Sequence, residues 1–319
     1  MDSLDEKIIT DLVAKGFQKS TVLANLYGLS ERTIRRRIKN LVDSKFVKVV
    51  VAPNFVLLGF RAWARIGIRV EPGALQSVAR ELVAHPSIYF VGYTLGTYDI
   101  IISAYFDTID RLTYFVNSEL SKVKGIRFVE TMLLVNPRKY NLFYWPKPIS
   151  PNSENIFDNF HNPYVCHSNY ELQETDKKIL KILMEEGPVR PRSLSSRLGI
   201  GEVTIRKRLK AMQQNNVYKV EALPIVETGG FGAQATIGIN ISHHLPHKFI
   251  DSIIEHPFVH IASVALGRFN IVIGVRCRNI NLLHQFVTEV LSSLPGIISI
   301  EVCLHVKRIK YHNIIFPIP

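Results

Sequence analysis

The stretch LANLYGLSERTIRRRIKNLVDSKFVKV, residues 23–49, decides how the first part of this chain folds. A turn that contains Gly28 separates a short helical pattern over residues 20–27 from a longer, strongly basic pattern that begins at Glu31. Two helices joined by a short turn, the second of them basic, are typical of a helix-turn-helix. Ser30 is well placed as the N-cap of the basic helix, because its hydroxyl can accept from the exposed first-turn amides. The stretch therefore predicts a module that contacts nucleic acid.

The chain repeats itself once over most of its length. At an offset of 171 residues, the separation of Asp5 from Asp176, the two halves align without a gap. The segment Thr-Ile-Arg at residues 33–35 meets the same three residues at 204–206. Such a repeat indicates a structural unit that has been duplicated and fused.

In each copy, the second helix of the module is predicted to present a cationic face. With about 100° per residue, placing Ile34, Ile38 and Leu41 in the core turns the basic residues to the opposite side. A solvated amphipathic helix is the alternative, but Glu31 is the one acidic residue near the stripe, and the second copy keeps its basic character. The residues predicted to contact DNA are Ser30, Arg32, Thr33, Arg35, Arg36 and Lys39 in the first copy and Thr204, Arg206, Lys207 and Lys210 in the second.

A different pattern follows each helical module. Between residues 61 and 136, β-rich runs alternate with helical stretches in the order βαββαβ, and the second copy repeats this order. The order is typical of a ferredoxin-like module, with helices on one face of an antiparallel sheet. We therefore predict an α+β chain that contains two winged helix-turn-helix modules and two ferredoxin-like βαββαβ modules. The predicted boundaries are 1–53 and 175–224 for the winged modules, 54–140 and 225–319 for the βαββαβ modules, and 141–174 for a linker.

Two smaller features complete the predicted architecture. The segments FVKVVVAPNFVLLGF and VYKVEALPIVETGGF, which follow the basic helices, each predict a β-wing whose turn is marked by Pro53 or Pro224. His85 and His256 stand before a proline at the end of a helix in both copies, so they are predicted to cap the C-terminal carbonyls of that helix.

Composition bounds the class of protein. The 319 residues carry 39 Lys and Arg against 27 Asp and Glu, a formal net charge of +12 that favours a polyanionic partner. No apolar run approaches the roughly 18 residues of a membrane span. Three scattered cysteines fit a reducing cytosol better than a disulfide framework, and the acidic N-terminus does not resemble an export signal. A cytoplasmic location is expected.

The residues quoted so far resemble the Lrp/AsnC (feast/famine) family of transcription regulators. The stretch LDEKIITDLVAKG and the stretch quoted at the start are similar to the winged helix-turn-helix of that family, and LGTYDIIISAYFDTIDRLTYFVNSELSKVKGIRFVETMLLV is similar to its effector-binding module. Ordinary family members have one such unit per chain and pair through the α+β modules. The resemblance implies that this chain contains both protomers, so that its two winged helix-turn-helix modules and two ferredoxin-like modules form an internal pseudo-dimer. It also implies binding to double-stranded DNA, modulated by a small molecule that is often an amino acid.

The resemblance also implies an effector site at a glycine-containing turn between two strands. Carried over by position, its residues are Leu95, Gly96, Thr97, Tyr98 and Asp99 in the first copy and Gly267, Arg268 and Asn270 in the second. The second copy has an amide in place of Asp99 and gains a cation, so the two turns are not expected to hold the same molecule. A purely structural β-turn is the alternative for both.

The two basic helices are not identical, because Arg32 corresponds to Val203 and Ser30 to Gly201. We therefore expect an imperfect palindrome with half-sites about one helical turn apart, roughly 34 Å, or a multiple of it. Four phosphate contacts from each helix would give a log-log salt slope on the order of −7. A multiple of that spacing would correspond to chains that associate beyond the pseudo-dimer.

Enzymatic and metal-binding functions have weak support. The sequence contains no GxSxG, HExxH, GxxxxGK[ST] or GxGxxG motif, so no catalytic residue and no cofactor is predicted. The histidines at 243, 244 and 247, and His161 with Cys166 and His167, lack a spacing that would fix four metal ligands. The competing function is that of a sirohaem decarboxylase, a tetrapyrrole enzyme on a related fused fold. A nonspecific DNA-coating protein is a third interpretation.

Overall fold

The structure, a computed structural model, describes residues 2–14, 17–140, 170–224, 232–242 and 246–311. The same elements occur in both copies. The elements of the first copy are α1 Ser3–Ala14, α2 Ser20–Tyr27, α3 Glu31–Asp43, β1 Val47–Pro53, β2 Ala62–Val70, α4 Leu75–Ala84, β3 Ile88–Leu95, β4 Ile100–Phe106, α5 Ile109–Tyr114 and β5 Ile126–Tyr140. Those of the second copy are α6 Glu174–Glu186, α7 Pro191–Leu198, α8 Glu202–Gln214, β6 Tyr218–Pro224, β7 Ala233–Ile241, α9 Pro246–Ile254, β8 Val259–Leu266, β9 Ile271–Cys277, α10 Ile280–Gln285 and β10 Ile297–Tyr311.

The chain divides into two compact units, each with a core of its own. The first unit takes the described residues up to Asn54 and those from 170 to 224, and so holds both helical modules. In its first module, the apolar faces of α1, α2 and α3 meet around Ile8, Leu23 and Ile34, each of which is fully buried. Ala222 of β6 completes this core, so the second copy contributes to the core of the first.

The two predicted β-wings are not separate hairpins. Strand β1 pairs with β6 as an antiparallel ribbon, with Val47 opposite Pro224 and Pro53 opposite Tyr218. Each copy therefore supplies one strand of the ribbon. The prediction is wrong because the chain leaves β1 at Asn54, whose amide donates to the carbonyl of Val217 at 2.8 Å, and does not fold back beside β1.

The second unit is a closed β-barrel of eight strands in the order β10-β3-β4-β2-β5-β8-β9-β7. The sequence predicts one sheet for each copy, and the structure joins these sheets into a single barrel. The long strands β5 and β10 make both junctions, because β5 pairs with β8 and β10 pairs with β3. The mixed α/β class agrees with the prediction. The closure of the two sheets into one barrel was not predicted.

Alternation along the strands separates two kinds of side chain. In β2, Ala64, Ile66 and Ile68 belong to an apolar core shared with α4 and α5. Trp63 and Arg65 lie on the other face of the same strand, and both are buried. Because the sheet closes into a barrel with its helices outside, this second face lines the barrel interior.

The histidines at the helix ends do not cap carbonyls as predicted. The Nδ1 atoms of His85 and His256 each accept from the backbone amide two residues further along, at 3.2 Å. The carbonyls at the helix ends receive ammonium groups instead: Lys310 donates to the carbonyls of Val83 and His85, each at 2.9 Å, and Lys139 donates to that of Ile254. A cation near a helix C-terminus is favourable, which explains why lysine takes this role.

Among the described helices, none combines the length and the apolar character that a membrane crossing requires.

Candidate nucleic-acid interface and effector turns

Helix α3 begins at the cap that the sequence predicts. The Ser30 hydroxyl accepts from the backbone amide of Thr33 at 3.1 Å, and the two hydroxyls lie 2.8 Å apart. Gly28, which ends α2, has a φ of 63°, a left-handed conformation that glycine adopts without strain. The turn and the cap together set the direction in which α3 leaves α2.

The cationic face of α3 is open to solvent. Ile34 and Leu41 are buried on the inner side, while Arg32, Arg35, Arg36 and Lys39 are exposed. Arg35 forms an i,i+4 ion pair with Glu31 at 2.5 Å, and its side chain is still 69% exposed. An ion pair this exposed contributes little to stability, so the guanidinium can exchange Glu31 for a phosphate.

The third arginine of the run, Arg37, has a structural role. Its guanidinium lies 2.7 Å from carboxylate oxygens of both Asp2 and Asp5, which ties α3 to the start of α1. The Asp5 amide and then Arg37 lower the pKa of the Asp2 carboxyl. The second copy repeats the contact, with Arg208 3.5 Å from the fully buried Asp176. These arginines are therefore occupied within their modules.

Helix α8 presents a similar but poorer face. Thr204, Arg206, Lys207 and Lys210 are exposed, and Arg206 pairs with Glu202 at 2.5 Å as Arg35 does with Glu31. Val203 stands where the first copy has Arg32, and it is 68% exposed. The N-cap is Gly201, which has no side chain to accept from the first-turn amides. Helix α8 thus exposes the cations Arg206, Lys207 and Lys210, one fewer than α3.

The two candidate effector turns each lie against the long strand of the other copy. Gly96 has a φ of 122°, and a Cβ there would stand 2.6 Å from the carbonyl oxygen of Val302 on β10. Gly267 has a φ of 132° and lies equally close to the carbonyl oxygen of Thr131 on β5, at 2.7 Å. Both positions require glycine for conformation and for space. Leu95, beside Gly96, is largely exposed.

Both turns converge on a pair of glutamates that the sequence analysis missed. The Thr97 hydroxyl donates to Glu301 at 2.7 Å, and the buried Tyr98 donates its hydroxyl to Glu130. Arg268 contacts both carboxylates, with 3.3 Å between its Nη1 atom and Glu130. Burial and the bond to Glu130 raise the pKa of Tyr98. Glu130 and Glu301 occupy equivalent positions in the two copies, 171 residues apart, and this repeat could have identified them from the sequence.

Asp99 and Asn270 are held by the backbone. A carboxylate oxygen of Asp99 accepts from the amide of Val70 at 2.8 Å, and the Asn270 side-chain oxygen accepts from the amide of Ile241 at 3.0 Å. The two residues therefore share one role, fixing the hairpin to the end of a neighbouring strand. The difference in charge between them does not alter that role.

The described residues contain no group of three His, Cys, Asp or Glu side chains placed to hold a metal ion. The histidines at 243, 244 and 247, His161, Cys166 and His167 lie outside the residues whose side chains the structure describes.

Comparisons with known proteins agree with this organisation. The model of the Lrp/AsnC ligand binding domain matches residues 64–141 and 234–315, and a winged helix-turn-helix DNA-binding model matches residues 172–217. The HTH-type transcriptional regulator FL11 of Pyrococcus furiosus is 31% identical over 140 residues, which are 44% of this chain and 92% of FL11. An uncharacterized HTH-type transcriptional regulator of the same organism is 27% identical over 141 residues, 44% of this chain and 95% of that protein.

Among solved structures, the siroheme decarboxylase NirDL in complex with an iron-uroporphyrin III analogue has a TM-score of 0.64 at 15% identity, covering 98% of this chain and 94% of NirDL. At that identity the likeness is one of fold alone. The helix-turn-helix match and the two matches to the ligand binding domain define a DNA-binding protein with duplicated ligand-binding domains. The chain belongs to the Lrp/AsnC family and is a transcriptional regulator of that type.

Proposed function

We propose that the chain recognises an imperfect DNA palindrome through α3 and α8, as a regulator whose two half-site readers are fused in one polypeptide. One observation carries the proposal: both helices expose a cationic face at matched positions, whereas the neighbouring Arg37 and Arg208 are tied to carboxylates. Exposed arginines on a helix-turn-helix usually contact the phosphates and base edges of DNA. The matching cationic faces of α3 and α8 favour recognition of two half-sites over nonspecific DNA coating, which does not require two matched helices.

Selection of sites from random DNA, followed by fluorescence anisotropy, tests the proposal. We expect two related but unequal half-sites. The double variant Arg35→Ala/Arg206→Ala should bind the selected site at least tenfold more weakly, because each arginine supplies about 1–3 kcal/mol if it contacts a base. The matched control Arg80→Ala/Arg127→Ala removes the same charge from exposed positions outside the helical modules and should bind as the wild type does. Recovery of perfect palindromes alone, or equal losses in both variants, would contradict the proposal.

We infer further that the barrel is an internal pseudo-dimer of two ferredoxin-like modules. Within each copy the strands lie in the order fourth, first, third, second, which supports this interpretation. The effector is proposed to be amino-acid-like and to bind at the turns 95–99 and 266–270, where its ammonium would compete with Arg268 for Glu130 and Glu301. Like other DNA-binding regulators, the protein is expected in the cytoplasm.

Calorimetric titration with the common amino acids tests the effector proposal. One of them should bind saturably to the wild type and at least tenfold more weakly to Glu130→Gln, because the ammonium loses a charged acceptor. Glu81→Gln, an exposed change on α4, is the control. Affinity that is unchanged in Glu130→Gln would place the effector elsewhere.

A tetrapyrrole enzyme is the second candidate, supported by a fold shared over nearly the whole chain. Titration with iron-uroporphyrin III, followed by absorbance, separates the two functions. A stoichiometric spectral change together with loss of carboxyl groups from the added tetrapyrrole would favour the enzyme over the regulator.

A further inference from the structure

The interior of the barrel differs between the two copies at one set of matched positions. In the first copy, Tyr105 stacks on Trp63 with ring centroids 5.5 Å apart and on Tyr89 with centroids 4.8 Å apart. At an offset of 171 residues, His260 takes the place of Tyr89 and Arg276 the place of Tyr105. An aromatic cluster in one copy is thus replaced by cationic and polar groups in the other.

Arg65, Thr236 and His305 form a hydrogen-bonded cluster, and the fields of Arg65 and Arg276 both act on His305. Arg65 and Arg276 are 5% and 3% exposed. A guanidinium nitrogen of Arg65 donates to the Thr236 hydroxyl at 3.1 Å, and that hydroxyl lies 2.9 Å from Nε2 of His305. Thr236 forms no other side-chain hydrogen bond among the described residues, so its hydroxyl proton is paired only if it is donated to Nε2. This arrangement leaves the fewest buried groups unpaired, and we therefore assign the ring proton of His305 to Nδ1.

Two buried donors in this cluster have no acceptor among the described residues. They are Nε of Arg65 and Nδ1 of His305. Buried polar groups are almost always hydrogen-bonded, so two neighbouring exceptions that are both donors require an explanation. Glu130 and Glu301 form no hydrogen bond with these two atoms, and their carboxylates bond instead to Arg268, Thr97 and Tyr98.

Both histidines of this region, His260 and His305, are affected by neighbouring cations. Burial, followed by the fields of Arg65, Arg276 and Arg308, lowers the pKa of His305 to about 3. Burial, Arg276 and Arg65 also lower the pKa of His260. The largest charge effects on both imidazoles therefore come from cations, and a positive field favours an anionic ligand.

We propose that this part of the barrel interior is a binding site for a small multivalent oxyanion, a polycarboxylate or a phosphate compound, held by Arg65, Arg276 and the Nδ1 proton of His305. Guanidinium groups form paired hydrogen bonds with both carboxylate and phosphate, and the neutral imidazole adds a donor. None of these residues belongs to the turns 95–99 and 266–270. The proposed site therefore uses other residues than the proposed amino-acid site, and it combines Arg65 of the first copy with Arg276 and His305 of the second.

Calorimetry and thermal shift on the full chain test the proposal, with citrate and inorganic phosphate as probes and sodium chloride at equal ionic strength as the reference. One probe should bind saturably and raise the melting temperature. Which one does so distinguishes the carboxylate ligand from the phosphate ligand. Its affinity should fall at least tenfold in Arg65→Gln and in Arg276→Gln, because each removes a charged donor.

Two control variants remove the same charge elsewhere. Arg127→Gln, exposed on β5, and Arg206→Gln, on the proposed DNA face, should both bind the probe as the wild type does. The proposal is overturned if neither probe binds saturably, if Arg206→Gln loses the binding, or if both interior variants keep it. If Arg65→Gln does not fold, the result for Arg276→Gln decides.

Discussion

At the scale of single residues, the environment decides what a side chain can do. Glu221 on β6 shows this, because burial raises the pKa of its carboxyl to about 7. The ionised form is thus disfavoured in the folded protein relative to the unfolded chain. Below the unfolded pKa of 4.5 the effect vanishes; as the pH rises from there through 7, the folded state loses stability.

Glu221→Gln should therefore stabilise the protein in a pH-dependent way. Since the substitution removes the ionisable group, we expect little change in the free energy of unfolding near pH 4.5 and a gain of roughly 2–3 kcal/mol at pH 8. Urea denaturation at both pH values measures the difference. Glu185→Gln, an exposed change on α6, should show no such dependence. A gain of equal size at both pH values would point to packing and not to ionisation.

Arg268 provides a second test at this scale. It is the cation between Glu130 and Glu301, so Arg268→Gln leaves two neighbouring carboxylates without their shared partner. With its side chain 37% exposed, solvent screening limits the expected loss to about 1 kcal/mol. The triple variant that also carries Glu130→Gln and Glu301→Gln should recover this loss, as measured by urea denaturation. A loss that persists in the triple variant would show that Arg268 acts through packing alone.

At the scale of elements, the two basic helices differ in how they begin. Ser30 caps α3 through its hydroxyl, whereas Gly201 caps α8 with no side chain. The backbone of Gly201 has a φ of −53° and a ψ of 136°, and a Cβ there would meet no atom within 4 Å. A serine would fit without strain and could accept from the amide of Thr204.

Gly201→Ser should therefore stabilise α8, by about 0.5–1 kcal/mol from the new cap and from a less flexible unfolded chain. Hydrogen exchange of the first-turn amides of α8 measures the effect. The reverse change, Ser30→Gly, should speed exchange in the first turn of α3. Faster exchange in Gly201→Ser would mean that the hydroxyl does not reach the amides.

Local elements were predictable from the sequence, whereas pairing between distant segments was not. Gly28 marks the end of α2 and Ser30 the start of α3. Both could be predicted because each signal is confined to a few neighbouring residues. The β1–β6 ribbon and the closure of the barrel join segments more than a hundred residues apart, and no local pattern encodes that pairing. The contrast between Arg36, exposed, and Arg37, paired with Asp5, depends on how α1 packs on α3.

At the scale of the whole molecule, the two copies differ in sequence, and strand pairing between them joins them into shared elements. Each copy supplies one strand of the ribbon, and each barrel junction joins a strand of one copy to a strand of the other. Neither copy can therefore form these elements alone. In a homodimer, the two protomers would carry the same residue at the position of Arg32 and Val203. In a fused chain the residues at these two positions can differ.

Exchanging these two residues tests whether this asymmetry is used on DNA. Seven exposed cations, four on α3 and three on α8, give an expected salt slope of about −6 instead of −7. If Arg32 contacts a phosphate, Arg32→Val should reduce the magnitude of the slope by about one. Val203→Arg should increase it by about one, because the new guanidinium would stand at the matching place on α8. Anisotropy titrations across a salt series give both slopes.

Binding-site selection with the same two variants then separates charge from sequence recognition. If Arg32 contacts a base, the slope should hardly change, and Val203→Arg should instead shift the selected site toward a perfect palindrome. A chain carrying both substitutions exchanges the two residues, so it should select the original site with that contact moved to the other half-site. Unchanged slopes and unchanged sites in all three variants would place Arg32 outside the DNA interface, and α3 and α8 would then contact DNA through their shared residues alone.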